Sequence, residues 1–361
     1  MQYNNNLEYQ NEVTNIIGDI FDVPNLFLGA KNYNSNPIID LTDDNKTLIK
    51  SQIDKYNKKL DSKLQQESII DNYLNIDVKM ETGTGKTYVY IKTIFELNKK
   101  YGINKFIILV PSIAIKLGTQ NFIIDSYSHF QQEYGKHILL NVQSKNNEKN
   151  ANKKMPASVK NFVKTSMFTN DCINVLLLND DYLSDSNYGK QREEIFLDDF
   201  TTPADAICST NPFLIIDEPH RFKDNNSAMA FIKERIKPQC IIRFGATFPE
   251  ENGIKDYKNL IYDLNSRKAI NDGLVKGINV FIEGKRDVDN IEFIIKDLKQ
   301  GEQVTFKYKS SNSSDYIEKE VKKGRVVSFL GNNFTGVKLK DITKDEVILS
   351  NGLVLAKGKI N

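Results

Sequence analysis

Cysteine is scarce in this chain, and its placement rules out the usual cysteine scaffolds. Cys172, Cys208 and Cys240 are odd in number and scattered. No two have disulfide-framework or zinc spacing, which points to a reducing compartment. Long apolar runs are also missing: none approaches the roughly 18 residues of a membrane span. The polar start, Met1 to Gln10, lacks the apolar core of a signal peptide. The expectation is a soluble, cytoplasmic protein with no membrane partner. Excess charge is absent too, because 49 basic side chains face 47 acidic ones for a net +2. Proteins held to nucleic acid by phosphate contacts alone show a clear basic excess. The balance here neither supports nor excludes DNA binding, since basic residues can gather in one groove. Histidine supplies little. His129 and His137 lie in helical, polar contexts without partners at metal-ligand spacing, and no Ser/His/Asp or Cys/His arrangement stands out. What remains is ordinary in bulk: 361 residues, 40% hydrophobic and 27% charged, enough for two domains or one large one.

Along the chain the texture changes twice. Val13, Ile16, Ile17 and Ile20 recur at helical spacing, which predicts a first amphipathic helix over residues 7–21. A polar, Asn-rich stretch follows to Asn45, and a second helical pattern runs from about Thr47 to Asn72. Short apolar runs then alternate with helical segments. The runs are Ile76–Met80, Phe106–Val110, Asn174–Leu178, Phe213–Asp217 and Cys240–Gly245; helical patterns lie at Thr87–Lys100 and Met229–Ile236. This alternation predicts an α/β domain over 1–280, a mostly parallel sheet covered on both faces. Residues 143–164, rich in Asn and Lys, read as a solvated insertion. Beyond about Lys285 the segments Gln303–Lys309, Arg325–Leu330, Gly336–Leu339 and Glu346–Leu349 are short and rich in Val, Phe and Ile. With turn signals at Gly331–Asn332 and Asn351–Gly352, residues 285–361 read as a small antiparallel β module. Its Lys307, Lys309, Lys322, Lys323 and Arg325 suit phosphate tracking, but nearby acids nearly balance them, so a solvated surface is the preferred reading.

Three motifs carry chemistry. Glu81-Thr82-Gly83-Thr84-Gly85-Lys86-Thr87 follows a strand and opens a helix. A phosphate needs several backbone N–H groups pointing inward, and glycine lets the chain curl that tightly. The helix beginning near Lys86 adds its free amides and dipole. Lys86 would reach β and γ phosphates, and the Thr87 hydroxyl would hold Mg²⁺. Met80 stands where the strict pattern has glycine. The second motif is Phe213-Leu214-Ile215-Ile216-Asp217-Glu218-Pro219-His220, a buried strand ending in two carboxylates. Asp217 can hold Mg²⁺ and Glu218 can polarise an attacking water; alone, such a pair is equally a solvated strand end. The third, Phe244-Gly245-Ala246-Thr247-Phe248, is either a close-approach loop beside the acidic pair or a simple tight turn. Pro111-Ser112 offers a hydroxyl and amides for a nucleic-acid phosphate, or merely ends its strand. Gln10 could read an adenine edge.

Taken together, these motifs resemble the superfamily 2 helicase motifs of type III restriction enzyme Res subunits. Lys79 to Thr87 resembles motif I, Asp217-Glu218-Pro219-His220 motif II, and Gly245-Ala246-Thr247-Phe248 motif III. Tyr9-Gln10 is similar to the N-terminal glutamine motif, Phe106 through Gly118 to motif Ia, and Ile173–Asn179 to the strand before motif Ib. Asn259 to Leu264 and Leu274 to Ile278 resemble the segment leaving the first motor domain. The resemblance covers about 1–280. It implies a RecA-like motor domain that binds ATP and Mg²⁺, acts on double-stranded DNA, and works beside an adenine-methyltransferase (Mod) subunit. Gly245, Ala246 and Thr247 would couple nucleotide state to DNA. No second RecA-like domain or nuclease constellation is found, so the chain is expected to be an N-terminal fragment or a truncated product with weak hydrolysis. Two other readings stay open: a different superfamily 2 helicase, and an idle fragment that only binds nucleotide, DNA or the methyltransferase.

Overall fold

A computed structural model of the chain describes residues 7–32, 34–143, 153–164, 171–197, 199–251, 253–275, 293–309, 315–331 and 334–358. The chain divides into two compact units, Met1–Gly277 and Ile278–Asn361.

The first unit is built in chain order from α1 (Glu8–Ile20), a small antiparallel pair β1 (Phe27–Leu28) and β2 (Ile38–Ile39), α2 (Asp43–Asn57), β3 (Leu74–Met80), α3 (Lys86–Tyr101), β4 (Lys105–Val110), α4 (Ile113–Asp125), α5 (Tyr127–Tyr134), β5 (His137–Val142), α6 (Ala157–Lys164), β6 (Cys172–Asn179), α7 (Pro203–Cys208), β7 (Phe213–Asp217), α8 (Ser227–Phe231), β8 (Cys240–Gly245), a hairpin of β9 (Glu250–Glu251) and β10 (Ile254–Lys255), β11 (Leu260–Leu264) and α9 (Ser266–Asn271). Seven strands form one parallel sheet in the order β11-β3-β8-β7-β4-β6-β5. Strands β4, β6 and β7 are buried at every position, as expected when helices cover both faces. Alternate residues feed two separate cores. Phe106, Ile108, Phe213 and Ile215 join the core shared with α1, α2 and α3. Ile107, Leu109, Leu214 and Ile216 join the core with α6, α7 and α8. This doubly wound, RecA-like sheet is the architecture the strand–helix alternation predicts.

β3 differs from its neighbours. Leu74, Ile76, Val78 and Met80 face the first core, whereas Asn75, Asp77 and Lys79 alternate with them. Their face carries hydrogen bonds and ion pairs to residues 256–263 in place of apolar packing: Asn259 Nδ2 donates to Asn75 O at 2.8 Å, Lys258 N donates to Asp77 Oδ2 at 2.6 Å, and Lys79 pairs with Asp263 at 2.9 Å.

Several expectations need correcting. The second helix begins at Asp43, where Thr42 caps it by accepting from Asn45 N, and stops at Asn57. The stretch read as a solvated insertion contains α6, whose Val159, Phe162 and Val163 are buried in the second core. Met229–Ile236 is helical as expected, the end of α8 passing into a π-helical turn, Ile232–Ile236. Two parallel strands, β5 and β11, join the five expected.

The second unit holds two three-stranded antiparallel sheets, β12 (Phe293–Lys299), β13 (Gln303–Lys309) and β14 (Tyr316–Lys322), then β15 (Leu339–Ile342), β16 (Glu346–Leu349) and β17 (Val354–Ala356). They share a core containing Phe293, Phe306, Val327, Leu339 and Val347. The antiparallel character is as expected, but Arg325–Leu330 is not a strand: Ser328–Leu330 is a 3-10 turn. The expected boundary near 280–285, Lys276 to Ile278, residues 144–152 of the insertion and Asn332 lie outside the described residues. Among the described residues no helix is long and apolar enough to cross a membrane.

Candidate functional site

The site lies at the carboxyl ends of three adjacent strands, where open α/β sheets bind ligands. β8 sits between β3 and β7, so the Gly-rich loop after β3, the acidic pair ending β7 and the Gly245 loop ending β8 are neighbours.

After β3 the chain curls through Gly83 and Gly85, with φ of +85° and +83°, into α3. At Gly85 a side chain would be strained by the positive φ, and its Cβ would come within 2.6 Å of Gln10 Nε2, displacing that amide. The loop is braced from both sides. Thr84 Oγ1 donates to Glu81 O at 2.7 Å, and Thr82 N donates to Glu81 Oε1 at 2.8 Å. Ser266 donates to the other Glu81 oxygen, and that bond, with the Thr82 amide, lowers the Glu81 carboxyl below its ordinary range. From α1, Tyr9 Oη and Gln10 Nε2 both donate to Thr84 O, at 2.7 and 3.2 Å. Gln10 is buried, and here its amide holds the loop's backbone.

Lys86 is buried at the first position of α3, and its Nζ lies 3.4 Å from Glu218 Oε1. Thr87 next to it is partly buried, and Tyr90 in the same helix pairs its hydroxyl with Thr119 Oγ1 at 3.0 Å. Asp217 is only 5% exposed. Burial, then the neighbouring Glu218, push its carboxyl up to about 6. Its Oδ1 is buried and has no hydrogen-bond partner among the described residues. A buried carboxylate oxygen without a donor costs free energy unless a cation or proton meets it. Asp217 therefore fits a hard, oxygen-seeking cation such as Mg²⁺, for which the Thr87 hydroxyl at the start of α3 would be a second oxygen donor, and Lys86 with the curled amides fits a phosphate.

Glu218 takes a left-handed backbone, φ 55°, and its N–H donates to Phe244 O at 3.0 Å. That bond ties the acidic pair to the strand bearing the third motif. Gly245 completes the contact: a Cβ there would meet Pro219 Cδ at 2.5 Å and Thr247 O at 2.9 Å. The structure thus brings the Gly245 loop against the acidic pair. Ala246 is partly exposed and Thr247 exposed. Pro111 and Ser112 follow β4, the strand beside β7, on the same edge of the sheet. Ser112 caps α4, accepting from Ile115 N at 3.3 Å. His220 Nδ1 lies 3.4 Å from Glu218 Oε2.

Residues that sequence reasoning passed over are Ser266 and the buried pair Asp77–Arg243; Tyr9 was noted only as part of the glutamine motif, without its bond to the loop. The buried pair had a signal in Arg243, a charge in the middle of an apolar strand, while Asp77 sits in a strand that alternates polar and apolar residues.

Comparison with known proteins places the chain. The family described as "Type III restriction enzyme, res subunit" matches residues 38–250. The Res subunit of the type III restriction-modification enzyme EcoP15I from Escherichia coli is 40% identical over 288 residues, 78% of this chain and 29% of that one. The EcoPI Res subunit of Escherichia phage P1 is 38% identical over the same length and shares. The chain belongs to the type III restriction enzyme Res subunit family, and it spans 29% of the length of these curated relatives. Among solved structures, a nuclease-deletion mutant of the Type ISP restriction-modification enzyme LlaGI, in complex with a DNA substrate mimic, overlaps 58% of this chain and 19% of that one at 15% identity and a TM-score of 0.34.

Proposed function

We propose that this chain binds ATP with Mg²⁺ and serves as the first motor domain of a type III Res subunit, coupling hydrolysis to movement or communication along double-stranded DNA before cleavage. One observation carries the nucleotide reading: Lys86 Nζ sits 3.4 Å from Glu218 Oε1, beside the buried, partnerless Oδ1 of Asp217. A lysine, a water-orienting acid and a cation-seeking acid on neighbouring strand ends suit phosphoryl transfer. In this reading Lys86 and the amides of Thr82 to Thr87 hold the β and γ phosphates. Asp217 and Thr87 hold Mg²⁺, which supplies neutralisation of developing phosphate charge. Glu218 orients the attacking water and accepts its proton. Gln10 stiffens the loop and borders the nucleotide base. Pro111 and Ser112 meet the DNA backbone, and Gly245, Ala246 and Thr247 pass the nucleotide state toward it. The partner in sequence recognition is an adenine-methyltransferase (Mod) subunit, and the setting is the cytoplasm.

The described residues contain one seven-stranded parallel sheet. In P-loop GTPases an arginine finger accelerates hydrolysis by about 10³–10⁵; by the same chemistry an arginine from outside the phosphate-loop unit would serve here, and turnover by this chain alone is expected to be slow. The test is ATP binding and hydrolysis with and without duplex DNA, beside Lys86→Ala. Lys86-dependent binding with slow turnover supports the proposal. DNA-stimulated turnover at an intact motor's rate refutes the expected dependence on an outside arginine, and the absence of any Lys86-dependent binding refutes the nucleotide reading.

A further inference from the structure

Arg243 stands two residues before Gly245 in the central strand β8, and it is only 2% exposed. Among the described residues, no hydrogen bond or ion pair joins its guanidinium to the phosphate loop, the acidic pair or a predicted nucleic-acid contact, yet it gathers Asp77, Asp256 and Phe248. Its Nε and Nη2 donate to the two oxygens of fully buried Asp77 on β3, both at 2.7 Å. This is the paired fork geometry that guanidinium forms with carboxylate. Nη2 also donates to Asp256 O at 2.9 Å, and Nη1 approaches Asp256 Oδ2 at 3.5 Å. The guanidinium lies over the Phe248 ring at 5.5 Å, and that ring meets Tyr257 at 5.0 Å.

The network continues outward. Lys258 N donates to Asp77, while Lys258 Nζ pairs with Asp256 at 2.7 Å and with Asp224 at 2.6 Å. Asp224 belongs to the segment that follows the acidic pair after its 3-10 turn, Pro219–Arg221. Two independent routes therefore join the acidic pair to residues 245–248. The short one is Pro219 against Gly245. The long one runs through Asp224, Lys258 and Asp256 to Arg243 and its stacked partner Phe248.

A loop touched on one side by the γ-phosphate site can transmit a displacement only if its other side rests on something rigid. Phe248 on Arg243 is that rest. Burying an ion pair is seldom a gain in stability: replacing both partners with apolar residues of similar volume is often neutral or stabilising. The pair therefore points to a positional role.

We propose that Arg243, anchored by Asp77, is a positioning residue that fixes the floor of the Gly245–Phe248 loop, so that the presence of a γ phosphate at Glu218 is passed to Thr247. The proposal rests on the nucleotide reading above. The chain has no tryptophan, so Tyr257→Trp, beside Phe248, gives a single unambiguous fluorescence reporter. The full-length reporter chain is titrated with a non-hydrolysable ATP analogue and with ADP, both with Mg²⁺, alone and with Asp77→Leu/Arg243→Met added. Urea unfolding checks that the paired variant is folded. The expected result is an emission shift with the ATP analogue but not ADP, lost in the paired variant while nucleotide affinity is retained. An unchanged shift in a folded, nucleotide-binding paired variant overturns the proposal. A silent reporter in the parent chain despite Lys86-dependent binding also overturns it, leaving the nucleotide reading intact. Absence of all binding defeats both, since no γ-phosphate signal would exist. Should the paired variant not fold, Phe248→Leu removes the stacked ring while keeping the ion pair, and the same loss of shift is expected.

Discussion

Asp217 should make the protein less stable as pH rises, and Asp217→Asn should abolish that dependence. The carboxyl's ordinary value is 3.8 and burial raises it to about 6. The folded state then binds this proton more tightly than the unfolded state, so the slope of unfolding free energy with pH is negative between the two values. Stability from this group is fully present below 3.8 and is lost as pH climbs through about 6. Each tenfold difference in proton affinity is worth about 1.4 kcal/mol, so the full swing is about 3 kcal/mol. Urea unfolding of both proteins, measured from about pH 4 to about pH 7, reads this directly. Whatever constant cost the amide incurs in that pocket cancels, because only the change in the difference between the two curves matters. The wild type should lose roughly 2–3 kcal/mol relative to the variant over the window. Mg²⁺ with nucleotide should recover stability near neutral pH in the wild type and not in the variant, because a ligand bound only by the folded state stabilises it. Parallel pH curves would show that the pocket does not penalise the charged acid, and the inference of a cation-seeking oxygen would fail with it.

Gly245→Ala should cost about 1–3 kcal/mol by overpacking, because the new methyl would sit 2.5 Å from Pro219 Cδ. Gly118→Ala, inside α4 with nothing near the added carbon, should instead stabilise by about 0.5–1 kcal/mol; equal midpoints in urea for both would refute the close approach. Lys105 is fully buried, its Nζ donates to Phe162 O at 2.6 Å, and burial lowers its ammonium to about 7. A lysine lowered in the folded state costs stability below that value and ceases to as pH rises toward 10.5. The wild type should therefore gain roughly 3–5 kcal/mol on Lys105→Met between about pH 7 and pH 10, which thermal unfolding across that range would reveal.

Much of the sheet was legible because burial on two faces leaves a plain signature. β4, β6 and β7 are short, continuously apolar and bounded by helical patterns, and each lies where such a run was read. β5 was missed because an edge strand needs less burial: only Asn141 is buried in His137–Val142. α6 was missed because its buried residues amount to Val159, Phe162 and Val163 in a Lys- and Asn-rich stretch. α4 offers no readable face at all. Its Lys116, Thr119 and Ile123 are buried while Ile113, Leu117 and Ile124 are exposed, so apolar and buried do not coincide. In the candidate site, the curl at Gly83 and Gly85 was readable, since only glycine tolerates that backbone without cost.

What sequence could not supply was the partner of each charge. Asp77 and Arg243 are 166 positions apart, and each taken alone is a charge in a core strand with no evident partner. Their register on β3 and β8 turns two anomalies into one explanation. On β3, Lys79 pairs with Asp263 of β11, and Asp77 takes both the Arg243 fork from β8 and the Lys258 N–H from the irregular chain before β11; irregular chain presents backbone groups that need partners. Asp77 thus marks where irregular chain lies against the sheet. Because that chain here includes Phe248 and Tyr257 beside the Gly245 loop, the polar alternation in β3 and the behaviour of the loop at the acidic pair are one physical question, and the paired Asp77/Arg243 replacement addresses both.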